Sequence, residues 1–212
     1  MTARLTPTRG LAAACLLCLT PSAYAQDEGP DPAWVDEAAL QRGEIVWRTG
    51  KASPRIATID AAVLIRATPA MIWSILIACE IAPEYVPHVT DCSRIETFDD
   101  GSAELFKQTV KPAFFIPSFE HVFRLDYTPY ERIEVSRVSG PLAHMQGIWR
   151  LRQRDDGTVL LTHELALDPG IPLPRFFVRT ALRRDLPKVL DGVRARAEAQ
   201  ASPPATAPAD PL

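Results

Sequence analysis

The spacing of apolar residues along the chain alternates between two periods. In residues 55–66, Ile59, Ala61, Val63 and Ile65 share one phase of a period-two pattern, which predicts a long strand. At Thr68-Pro69 the period lengthens. Ile72, Ile75, Leu76 and Cys79 recur at helical spacing, behind a threonine suited to the N-cap and a proline suited to the first helical position. A second short helix is expected around residues 83–86, closed by Pro87. Upstream, residues 36–41 predict a short helix stopped by Gly43, and residues 44–48 a strand carrying Trp47.

Beyond Val89 the alternation returns and persists. Residues 91–97 and 103–110 flank Asp99-Asp100-Gly101, residues 119–127 and 132–138 flank Thr128-Pro129-Tyr130-Glu131, and residues 144–154 and 158–167 flank Asp155-Asp156-Gly157. Acidic-glycine turns between alternating segments are hairpin signals, so three successive hairpins form an antiparallel meander. A long helix is expected to start near Pro174. Its apolar face comprises Phe177, Ala181, Leu182, Leu186, Val189, Leu190, Val193 and Ala197, and Pro187 is expected to kink it. A sheet with one apolar face must be covered, and only this helix is long enough to do so. The expected class is α+β: a curved antiparallel sheet wrapped around a long C-terminal helix, with two short helices after the first long strand.

The two ends read differently. Arg4 and Arg9, the apolar run at 11–19 and Ala23-Tyr24-Ala25 follow the order of a secretory signal peptide, residues 1–25, with the mature chain starting at Gln26. The expected location is periplasmic or secreted. Residues 26–43 form an N-terminal extension with its short helix, residues 44–199 a single domain, and the Pro/Ala-rich residues 200–212 a disordered tail. The net charge of −3 becomes more acidic once Arg4 and Arg9 leave with the leader, which argues against nucleic acid as a partner. Cys79 and Cys92 survive cleavage. In an oxidising compartment they are a candidate disulfide, and the alternative is two buried thiols.

Several segments carry a family resemblance. Ala67-Thr68-Pro69-Ala70-Met71-Ile72-Trp73-Ser74-Ile75-Leu76 resembles the strand-to-helix entry of polyketide cyclase/dehydrase-like proteins. Glu80-Ile81-Ala82-Pro83-Glu84-Tyr85-Val86-Pro87 is similar to their second short helix, and residues 186–198 to their closing helix. The chain differs at Ala78-Cys79, where an Asp-Tyr pair is common. The resemblance spans residues 44–198 and includes the coenzyme-Q-binding START-domain branch of the START-like (SRPBCC) superfamily. It implies a helix-grip fold with a cavity between sheet and helix, on a scaffold that hosts carriers, receptors and enzymes alike.

Alternation then suggests what lines that cavity. Phe123 and Tyr127 share a phase with His121. Met145 and Trp149 share one with Gly147, and His163 falls among leucines of one face. With Phe177 and Leu182 from the long helix, these are the candidate ligand-binding residues, the two histidines supplying polar groups in an apolar lining. The apolar loops at 112–117 and 170–174 offer Phe114, Phe115, Ile116, Ile171 and Leu173 as a cavity rim or transient membrane contact. No metal site or cofactor is expected, because two histidines on separate strands form no recognisable ligand set. No nucleophile elbow occurs, and His163 with Glu164 would project to opposite faces of a strand. The leading functional expectation is therefore a binder or carrier of a lipid, isoprenoid or aromatic molecule. The alternatives are an aromatase/cyclase- or dehydratase-type enzyme using His121 or His163, and an envelope protein-interaction module. Oligomeric state is not legible.

Overall fold

The computed structural model describes residues 31–98, 100–112, 117–170 and 175–202. Its strands are β1 (Val46–Lys51), β2 (Ala57–Ile65), β3 (Val89–Thr97), β4 (Ala103–Val110), β5 (Phe119–Thr128), β6 (Arg132–Ser139), β7 (His144–Gln153) and β8 (Val159–Asp168). The helices are α1 (Glu37–Gln41), α2 (Pro69–Leu76) and α3 (Arg175–Ala201), with a short 3-10 helix at Cys79–Glu84. All eight strands form one antiparallel sheet in the order β1-β2-β8-β7-β6-β5-β4-β3. The meander runs unbroken from β3 to β8, and β8 returns to pair with β2. This is the expected α+β helix-grip architecture.

Local chemistry fixes the joints. The Thr68 hydroxyl accepts from the Met71 N–H at 3.3 Å and caps α2, whose Ile72, Trp73 and Ile75 are buried. At the β7–β8 turn, Gly157 adopts φ +82°, and one Asp156 carboxylate oxygen accepts from both the N–H and the hydroxyl of Thr158. The second short helix begins earlier than residues 83–86. Cys79 is disulfide-bonded to Cys92 of β3, with Cα atoms 5.3 Å apart, and this bond together with buried Ala82 holds the turn before Pro83.

α3 continues through Pro187 as one helix; the proline has no N–H to give the Arg183 carbonyl. Its burial is graded along its length. Leu190, Val193 and Ala197 are fully buried and Leu182 is 9% exposed, but Phe176 and Phe177 are 61% and 54% exposed. The helix is seated on β2 and α2 by its C-terminal part, with β1 alongside. Gly192 permits that seating, because a Cβ there would stand 2.5 Å from the Cβ of Tyr85. The apolar face of α3 therefore starts with the partly buried Val178 and is fully seated from Leu182 onward. Phe177 and Ala181 fall outside it because the sheet does not cover the first turns.

A second, smaller core lies on the other face of the sheet. Leu40 of α1 packs with Ala62 and Leu160, flanked by Trp34, Val35, Val46 and Leu64. Arg154 holds this extension down through Asp31 at 2.6 Å and Glu37 at 2.7 Å. Residues 34–41 are thus integral to the packed structure.

Candidate functional site

Strand pairing sets the concave face out in rows. One row runs Ala61, His163, Trp149, Ile133 and Tyr127 across β2, β8, β7, β6 and β5. The next runs Ile59, Leu165, Gly147, Val135, Leu125 and Glu104. A third contains Ala57, Leu167 and Met145, and beyond it His121 of β5 faces Gln108 of β4. α2 covers the Tyr127 end, where the Trp73 ring meets those of Tyr127 and Tyr130 at 5.5 and 5.7 Å.

The burial of these residues is informative. On the same concave face, Ile59, Ala61, Val63, Val159 and Leu161 are completely buried beneath α3 and α2. Val135, Trp149 and Leu165, mid-strand and pointing inward, are only partly buried, as are Met145 and Leu167 next to the strand ends. Apolar side chains in that position keep exposed surface only where the opposing layer stands off. The first turns of α3 leave Phe176 and Phe177 exposed and only Val178 partly packed. The partly buried side chains beside them form an apolar hollow of the concave face, with Ala57, Leu167 and Met145 at its edge.

Two histidines face this hollow. His163 lies flat on Trp149, with ring centroids 3.7 Å apart and planes inclined by 12°. Gly147 makes room for it, since a Cβ there would come 3.1 Å from the His163 Cε1. The His163 Nδ1 meets the Ile148 carbonyl at 3.3 Å, which suits a neutral ring donating from Nδ1. Burial pushes the His163 pKa down to about 3, partly opposed by that carbonyl. His121 stacks on Phe123 at 5.3 Å, and burial lowers its pKa to about 4. Its Nδ1 is buried without a hydrogen-bond partner. A buried polar nitrogen in that condition is costly unless something supplies its partner.

A further polar group was not anticipated from the sequence. Glu104 is buried and accepts from the Tyr127 hydroxyl at 2.7 Å and from Arg94 at 2.9 Å. Burial, and then the Glu104 carboxylate, push the Tyr127 pKa upward, so this phenol stays protonated. The signal was present: Glu104, Phe106, Gln108 and Val110 share one phase of β4, and that phase is the concave one.

Of the expected ligand-binding residues, His121, Phe123, Tyr127, Met145, Trp149 and His163 come together on the concave face, and Leu182 faces them from α3. Phe177 does not join them; it lies on the exposed first turn, ring to ring with Phe176 at 4.0 Å. Phe114, Phe115, Ile116, Ile171 and Leu173 lie outside the described residues. Glu164 projects to the convex face and pairs with Arg150 at 2.6 Å, opposite in sense to His163. Among the described residues no cluster of three side chains suits a metal ion.

Comparison with known families matches residues 65–194, more than half of the chain, to the family described as polyketide cyclase / dehydrase and lipid transport. The chain belongs to that family. The match covers α2, β3 to β8 and most of α3, and so includes every histidine and aromatic residue of the hollow. Solved structures agree on the fold. An aromatase/cyclase, Zhui, from Streptomyces is 18% identical with a TM-score of 0.59, covering 72% of this chain and 99% of its own. A START superfamily protein from Mycobacterium smegmatis is 17% identical at the same TM-score, covering 68% of this chain and 98% of its own. A STAR-related lipid transfer protein from Xanthomonas axonopodis is 14% identical, also with a TM-score of 0.59, covering 72% and 98%. Comparison with curated protein sequences finds no match. The family as a whole thus points to ligand binding or to cyclase/dehydrase-type chemistry in this cavity.

Proposed function

We propose that the chain is an exported binding or carrier protein for an uncharged, largely apolar molecule, such as a lipid, isoprenoid or aromatic compound, bearing a hydroxyl or carbonyl. The observation that carries this reading is the row of inward-facing, partly buried apolar side chains beside two neutral histidines. Pockets for small molecules combine an apolar lining with a few placed polar groups. A neutral imidazole nitrogen satisfies a hydroxyl. A carboxylate or phosphate would instead need a cation, and desolvation keeps both rings uncharged. Export is supported by the leader-like residues 1–25 and by the Cys79–Cys92 bridge, a feature of oxidising compartments.

A catalytic reading would assign proton transfer to His121 or His163. General acid–base catalysis works best with a pKa near the operating pH, and values of about 4 and 3 are poorly matched to it. Binding is therefore the function the geometry supports best.

The test is native mass spectrometry of the chain purified from periplasm, followed by solvent extraction of whatever is bound. A discrete adduct that extracts into organic solvent and carries no formal charge is the expected result. An anionic adduct would overturn the stated ligand class. An empty protein that also takes up no apolar fluorescent probe would overturn the binding reading.

A further inference from the structure

The first turns of α3 and the edge strand β1 form a surface that the hollow does not explain. On β1, Trp47, Thr49 and Lys51 alternate toward the α3 side, opposite Ala61, Ile59 and Ala57 of β2. From α3, Arg179 and Arg183 reach the Thr49 hydroxyl at 3.2 and 3.1 Å, and the Arg183 guanidinium lies 5.5 Å from the Trp47 ring centroid. A groove of about 500 Å³ runs between the two elements, lined by Gly50, Lys51, Ile56, Ala57, Phe176 and Arg179. Phe176, which lines the groove, is 61% exposed, its ring neighbour Phe177 is 54% exposed, and Trp47, further along β1, is 42% exposed. Arg55, in the β1–β2 turn, adds a fourth basic group, paired with Asp168 at 3.4 Å.

Exposed aromatics interleaved with arginine and lysine, on a chain of net charge −3, are a local concentration of cationic and apolar surface against the general balance. Charge complementarity selects the occupant. The rings want a medium that is apolar within a few ångströms, and the guanidinium and ammonium groups want anions in a plane above it. The headgroup and acyl boundary of an anionic bilayer offers both. The geometry points to this face as a docking site for an anionic phospholipid surface, with Phe176 and Phe177 entering the acyl boundary and Lys51, Arg179 and Arg183 meeting the headgroups. This docking does not rest on the ligand-binding reading, but its position gives it a use. It adjoins Ala57 at the edge of the hollow, so a docked molecule would turn that edge toward the bilayer.

The experiment is cosedimentation of the purified protein with vesicles of phosphatidylcholine alone and with vesicles of equal parts phosphatidylcholine and phosphatidylglycerol. Wild type is expected to sediment with the anionic vesicles only, and to be released by high salt. Phe176→Ser with Phe177→Ser, and separately Lys51→Glu with Arg179→Glu, should each weaken that partition about tenfold or more. All four side chains are exposed, so unchanged circular dichroism and urea midpoints establish that the variants are folded. Wild type that stays in the supernatant, or sediments equally with both vesicles, overturns the proposal. So does a folded double variant that sediments like wild type. Occupancy of the hollow, measured by mass on the Phe176→Ser, Phe177→Ser variant, separates this proposal from the binding reading. Docking alone is at issue if occupancy persists while sedimentation is lost.

Discussion

His163 concentrates the chemistry of the hollow in one residue, because it is stacked, buried and neutral at once. Its folded pKa of about 3 lies below the ordinary value near 6.5, and that of His121, about 4, is displaced in the same direction. In the unfolded chain both rings take up protons as the pH falls through 6.5, whereas in the folded chain they do not. The stability contributed by these sites is therefore complete above pH 6.5 and is lost progressively as the pH falls toward the folded values. From pH 6.5 to 5, each site should cost on the order of 2 kcal/mol at most. Replacing His163 by Phe keeps the stack on Trp149 and removes one of the two titrating sites. Urea unfolding at pH 7 and pH 5 should show a smaller acid loss for His163→Phe than for wild type. Equal losses would mean that the ring is already protonated, or already solvated, in the folded protein.

At the scale of elements, the disulfide adds a covalent tie between two pieces that also pack together, with Cys79, Ala82, Val89 and Cys92 in one core. It ties the 3-10 helix to the outermost strand, β3, across a sequence separation of 13. Closing a loop of that size stabilises by about 3 kcal/mol through the unfolded chain. Cys79→Ser with Cys92→Ser should lower the free energy of unfolding by about that amount, and added reductant should then have no further effect on the variant. The elements themselves were largely legible in the sequence, because period-two alternation and acidic-glycine turns are local signals that the sheet obeys. Six of the eight proposed lining residues reach the concave sheet face and Leu182 joins from α3, for the same reason. What was not legible depends on distance along the chain. Phe177 has helical phase with Leu182, yet nothing local says that the sheet ends before reaching it. Pro83 looked like the start of a helix, because the disulfide that holds the preceding turn is a long-range contact. The packing of Leu40 of α1 on Leu160 joins residues more than a hundred positions apart.

At the scale of the whole molecule, the question is whether the space between sheet and helix is empty or filled, and a single enlarging substitution can decide it. Val135 is mid-strand on β6, partly buried, and directly opposite Gly147, where the His163 ring takes the space a side chain would fill. In a close-packed interior, Val135→Phe would force side chains off their rotamers and cost about 1–3 kcal/mol. In an open hollow the added ring meets free volume and gains contacts instead, so the unliganded variant should unfold at a urea concentration equal to or above that of wild type. The same ring would occupy the ligand's place beside Trp149. A ligand that binds only the folded state raises its stability by mass action. Saturating apolar ligand should therefore shift the thermal midpoint of wild type upward and leave that of Val135→Phe nearly unmoved. The two measurements must agree for the hollow to be a binding site. A variant that is strongly destabilised yet still shifted by ligand would mean that the ligand sits elsewhere, and would move attention from the concave face to the aromatic and basic face formed by β1 and α3.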